Sequence, residues 1–272
     1  MSNPKYNNTQ PFAQERNHNV NFNYIWDKTD LNWVPQTESS LTFEYILNNA
    51  KDYVHKFGSN PNVNQSVSVS NPEVIWDGSS PYPFPSNGGE TIEIVSTEAD
   101  THEIFIQGLD QDFNLQETTA TLNGTIPVAV AGTWTRVFRA YNNGSSDITG
   151  DVSIRNSIDQ TIYAQILDGN NQTLMSIYTI PADCTGYLIK YKATAFNPQS
   201  ASVIGYTLQM RVREFEKAFR VKSLTSVGTN FESVHNFPFP IKLEPKSDIL
   251  FSVVNANGNN GAINVDFDIA LL

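Results

Sequence analysis

Cysteine occurs once in the 272 residues, at Cys184, so no intramolecular disulfide can form and an oxidising compartment is not implied. The residue lies in "IPADCTGYLI", between a turn and an apolar run, where nothing marks a lowered pKa, so it reads as a strand-entry residue and not as a nucleophile. Positive charge is also scarce: 17 Lys and Arg stand against 28 Asp and Glu, for a formal net charge of −11. The densest basic stretch, Arg211, Arg213, Lys217, Arg220 and Lys222, alternates as strand-edge charge does and forms no patch. That argues against nucleic acid and anionic membrane as partners, because both are held by clustered cations. No apolar run approaches the ~20 residues of a membrane-spanning helix. The opening stretch "MSNPKYNNTQPFAQERNHNV" has no apolar core of a secretion signal, so the N-x-S/T triplets at Asn7, Asn64, Asn123, Asn143 and Asn171 read as turn chemistry.

Charge of either sign is thin, at 17 % of residues against roughly 25 % in an average domain, and Asn, Ser, Thr and Gln fill the surface instead. Such a surface suits short β edges and loops, and it suits packing against neighbours, since interface centres are depleted in charge.

What is present divides into four stretches. Residues 1–58 read as an arm. The segment "FNYIWDKTDLNWVP" looks like a small hairpin carrying Trp26 and Trp33, and "LTFEYILNNAKDYVHKFG" looks like an amphipathic helix. In that helix Phe43, Ile46, Leu47, Val54 and Phe57, with Ala50 between Leu47 and Val54, recur at three- and four-residue steps, Gly58 would supply the C-terminal stop, and His55 would sit near the negative end. Trp26, Trp33, Phe43, Ile46, Leu47, Val54 and Phe57 are the candidate assembly contacts. Residues 59–90 carry prolines at 61, 72, 81, 83 and 85 and read as a rigid strap packed by its aromatics. Residues 91–158 show period-two strands bounded by Gly, Asn, Asp and Pro, as a β-sandwich with hairpin connections does. Residues 159–272 add about eight more strands, a count that suits a jelly-roll-like double sheet. The seam near residue 158 is soft, and the two sets could share a sheet. The expected fold is therefore all-β: two β-sandwich or jelly-roll-like units preceded by an extended arm and one amphipathic helix.

The search for chemistry returns little. In "GLDQDFNLQETT" Asp110, Asp112 and Asn114 alternate like calcium ligands, but the sixth position is Leu115 where an EF-hand needs Gly, and the twelfth is Thr121 where it needs Glu. The stretch reads as a hairpin corner. His18, His55, His102 and His235 show no metal spacing. No G-x-S-x-G and no phosphate-cradling glycine loop is present. Glu214 with Glu216 and Asp266 with Asp268 are paired carboxylates at strand spacing, where solvation is the ordinary role. Catalytic, cofactor and metal residues are expected to be none.

The ordered segments "PEVIWDGSSPYPFP", "IFIQGLDQDFNLQETTATLNGTIPV", "FRAYNNGSSDITGDVSI", "AQILDGNNQTLMSIYTIPADCTGYLIKY", "VREFEKAFRVK" and "FPIKLEPKSDILFSV" resemble a family of virion structural proteins of tailed bacteriophages, common in marine and cyanobacterial phages. The resemblance spans roughly residues 60–270. It implies a non-enzymatic β-sandwich component located in the virion, with no functional residues to carry over. The expectation is a capsid decoration or minor capsid protein whose partners are the major capsid protein or other virion proteins and itself, as a trimer. The rival expectation is a tail, portal-vertex or fibre protein that stacks host glycans on loop aromatics such as Trp76 and Tyr82. A polysaccharide hydrolase is the third and least favoured.

Overall fold

Period-two burial builds most of the strands. β5 (Ile92–Ser96) and β10 (Val152–Asn156) bury every second residue, as half-covered strands do. β17 (Asp248–Asn257) differs: seven consecutive residues from Asp248 to Val254 are buried, which requires cover on both faces. The computed structural model describes residues 23–27, 32–36, 45–46, 48–78, 81–197, 205–229, 231–257 and 261–272. It is all-β, with antiparallel pairing throughout its named strands.

Two small sheets make the first unit. One has the order β11 (Ile162–Ile166), β10, β5, β8 (Val128–Ala129). The other has the order β7 (Leu115–Thr121), β6 (Glu103–Leu109), β9 (Arg136–Asn142). Their core includes Ile94, Ile104, Ile106, Trp134, Val152 and Ile154, all at most 1 % exposed. Two larger sheets make the second unit. The inner one runs β12 (Ile177–Thr179), β17, β14 (Gly205–Arg213), β15 (Arg220–Gly228), with β4 (Glu73–Val74) added to β17. The outer one runs β16 (Glu232–Leu243), β13 (Gly186–Phe196), β18 (Ala262–Leu271), β3 (Asp52–Asn60). Leu188, Tyr191, Leu208, Phe251, Phe267 and Ile269 lie in the core between them.

The inner sheet belongs to both cores. Val74, Ile177 and Leu250 point into the first, while their chain neighbours Ile75, Tyr178 and Phe251 point into the second. β9 does the same with Val137 and Phe138. The continuous apolar run "ILFSVV" in β17 is the sequence trace of this double burial.

Three expectations change here. The helix does not extend over 41–58: Tyr45, Ile46, Asn48 and Asn49 have helical backbone, but Asp52–Asn60 is β3, paired with β18 from Asp52↔Leu271 to Asn60↔Ile263. Gly58 is therefore no helix stop. A Cβ there would lie 2.1 Å from the Ser176 amide nitrogen, so the residue permits β3 to press against the inner sheet. The unit boundaries also move. β11 pairs with β10 across residue 158, and β3 and β4, from the arm and the strap, complete the second unit. The strap is fixed by a Trp76–Tyr82 edge contact at 5.2 Å and by the Tyr82 hydroxyl donating to the Val137 carbonyl at 3.0 Å.

Candidate interaction surfaces

The sequence-predicted assembly residues do not form one face. Trp26 and Trp33 hold directly opposite register positions in the hairpin of β1 (Asn23–Asp27) and β2 (Asn32–Gln36). Phe43 and Leu47 lie outside the described residues. Ile46 is buried. Val54 is half-buried against the second core, whereas Phe57 faces outward and is 38 % exposed. In a strand these two side chains project to opposite faces, so they cannot share the helical stripe expected of them. Trp76 and Tyr82 are 2 % and 8 % exposed, which removes them as a sugar-stacking platform.

The Asp110 stretch is a corner. Asp110 Oδ1 accepts the amide hydrogens of Asp112 at 2.8 Å and Asn114 at 2.9 Å, so the acidic side chain is committed to its own turn. The corner also places Phe113, at φ 66°, into the second core against Phe215. No group of three or more His, Cys, Asp or Glu able to hold a metal occurs among the described residues. No helix among the described residues is long and apolar enough to cross a membrane. Cys184 is buried, and burial pushes its thiol above its ordinary range. The Asp266 and Asp268 pair faces a charged ladder. Burial raises Asp266, while at Asp268 the bonds from His55 (2.6 Å) and Lys190 (3.0 Å) outweigh burial and hold the carboxyl low.

Two regions stand out in the second unit. β15 and β16, each the last strand of its sheet, and the residue before β16 expose apolar side chains, Val221, Leu224, Phe231, Val234 and Phe239, between 49 % and 74 % open. They are spread over both outer faces: Val221 and Leu224 pair with Arg211 and Gln209, and Val234 with Lys192, all pointing away from the second core. Their residues are scattered through mixed polar sequence, so composition alone did not mark them.

Inside the inner sheet the units are locked by buried charge. Asp248 on β17 accepts from Arg136 of β9 (Nε to Oδ1 2.8 Å), from Arg213 of β14 (Nη2 to Oδ2 2.5 Å) and from the Thr179 hydroxyl (2.6 Å). The Arg136 and Asp248 side chains are each 3 % exposed. Arg136 also donates to the carbonyl of Pro85 and to the Asn87 side chain, tying the strap to the joint. Beside this joint a crevice runs between β3 and β9. Lys56 enters it almost wholly buried, donates to the Phe138 carbonyl, and lies over the Phe138 ring at 5.5 Å. Burial, then the charge of Arg139, lowers its amine to about 7. A lysine this deep was invisible in sequence, because the segment was read as a helix and no local pattern marks an inward-facing strand position there.

No family model matches the chain, and no curated protein matches it. Solved structures give remote likenesses. The tandem CBM22-1–CBM22-2 pair of Paenibacillus barcinonensis Xyn10C is 8 % identical over 81 % of this chain and 93 % of that one, at a TM-score of 0.25. The PBSX exported protein XepA is 7 % identical over 92 % and 99 %, at 0.19. The VP2 protein of infectious bursal disease virus, as a D431N mutant, is 10 % identical over 82 % and 73 %, also at 0.19. Scores this low establish no shared function.

Proposed function

We propose that this chain is a non-enzymatic structural component of a bacteriophage virion, a capsid decoration or minor capsid protein with a jelly-roll-like second unit. The observation that carries the reading is the set of exposed apolar side chains on and beside the edge strands β15 and β16. Leu224, Phe231 and Phe239 stand open to solvent there. Exposed apolar side chains invite association, while Pro238 and Pro240 blunt part of β16 against open-ended strand addition, so the contact is one of side chains. In this reading second copies of the chain cover these side chains, closing a symmetric oligomer, and the segment before β3 reaches the shell. The low surface charge and the sequence resemblance agree with it.

The test is quantitative mass spectrometry on purified particles, scaled to the major capsid protein. A copy number comparable to the shell protein is expected. A few copies per particle would move the protein to a tail or vertex, and its absence from particles would overturn the assignment. Attachment is assayed with a truncation of residues 1–44, since removing all of 1–58 would delete most of β3. The truncated protein is expected to fold and to lose the particle.

A further inference from the structure

Among the described residues, neither Lys56 nor Arg139 makes an ion pair, although the chain holds 28 carboxylates to 17 cations. Both line one cavity of about 530 Å³ in the crevice between β3 and β9, with Tyr53, His55, Gln172 and Thr173, and no carboxylate lines it. Two like charges sharing a cavity repel, and within it the protein sets against them only the Phe138 carbonyl and the Phe138 and Tyr141 rings, with no carboxylate. A desolvated ammonium keeps its charge only with a partner. Arg139 is exposed and sits over the Tyr141 ring at 5.0 Å, which leaves its hydrogen-bond donors free of any acid. Thr173 is buried and accepts the Ala140 amide hydrogen at 3.0 Å, so its own hydroxyl proton remains to be donated.

We propose that this cavity is an oxyanion-binding site, in which Lys56 and Arg139 supply the charge and Thr173 donates a neutral hydrogen bond. The recognised chemistry is a carboxylate or a tetrahedral oxyanion such as sulfate or phosphate. The site is independent of where the protein sits in a particle. An anion there supplies both cations with a partner at once and removes the repulsion between them, so bound anion and protonated Lys56 favour each other. The other titratable side chains that line the cavity are Tyr53 and His55 on the same strand, the latter bonded to Asp268 of β18. The adjoining cavity, which Lys56 and Arg139 also line, brings Lys51, Asp52 and Asp183.

The experiment uses the full chain at low ionic strength, titrated in separate arms with sulfate and with acetate, with chloride matched as control. Calorimetry reads binding, and the pH titration of the Lys56 side-chain carbon resonances reads the amine. Sulfate is used because it keeps its charge from pH 5 to 9. The expected result is saturable binding of at least one anion, weakened about tenfold or more in Arg139→Gln and in Lys56→Met. The Lys56 titration midpoint should rise above its anion-free value of about 7. Sulfate alone would define a tetrahedral site and acetate a carboxylate site. Arg139 is exposed, so its variant keeps the test open if Lys56→Met fails to fold. Absence of saturable binding by either anion, binding unchanged in Arg139→Gln, or a Lys56 midpoint that ignores the anion would overturn the proposal.

Discussion

Two regions of the second unit meet their surroundings in opposite ways. Along β3 and β17 the sheets are pinned to the first unit by buried polar chemistry: Asp248 between two arginines, Lys56 on a carbonyl, Asp77 on the Leu174 amide at 2.7 Å. On and beside β15 and β16 apolar side chains are open to solvent. The difference separates rigidity from association. Buried charge networks contribute geometry and punish loss of a member, whereas exposed apolar edges contribute little to the isolated chain and much to a contact.

Substitutions in the two regions should therefore separate in their effects. The largest is Asp248→Ala, which strands two guanidinium groups at the joint. Loss of one partner of a buried pair costs about 3–5 kcal/mol, and thermal or urea unfolding should show it as a large fall in midpoint. Asp77 comes next. Burial is the main cause that raises its carboxyl to about 7, with the charge of Asp151 adding to it and the Leu174 amide bond opposing. The folded state thus holds a proton that the unfolded chain has released between about pH 4 and 7, so this residue makes stability fall as pH rises through that window and level off above it. Asp77→Asn can still accept the Leu174 bond, and it should stabilise the protein at pH 7.5 and flatten the profile between pH 4 and 7. An unchanged slope in pH-dependent unfolding would show that Asp77 is not the group responsible.

Gly58→Ala should cost about 1–3 kcal/mol by forcing a Cβ against the backbone at Ser176, read as a lower melting temperature. The smallest effect belongs to the open region. Leu224→Ser with Phe239→Ser should leave stability within about 0.5 kcal/mol per site, as exposed substitutions do. Sedimentation should nevertheless find the proposed oligomer dissociated. Dissociation caused by Asp248→Ala but not by this pair would invert the assignment of roles.

Sequence reached some of this and missed the rest for identifiable reasons. The Asp110 corner was legible because its side chain bonds its own turn, an interaction that ends within five residues. Most strands after residue 90 were legible from alternation. β3 was not, because its inward positions Val54, Lys56, Gly58 and Asn60 carry only one apolar residue, while Tyr53 and Phe57 point out. The period-two signal was erased and the three- and four-residue spacing imitated a helix. The lock at Asp248 joins residues 112 apart to Arg136, and no local pattern encodes such a pairing.

The order of the strands has a consequence for synthesis on the ribosome. β3 is made before its partner β18, the last of the described strands, and the whole first unit is made in between. The outer sheet therefore closes only after β18 has emerged. Until then β3 is an open edge on a growing chain, and the lysine it carries waits in water for the cavity that will bury it. Contacts this distant in sequence slow folding. A chain stopped short of β18 would keep its first unit and leave the body that carries the apolar edges unfinished.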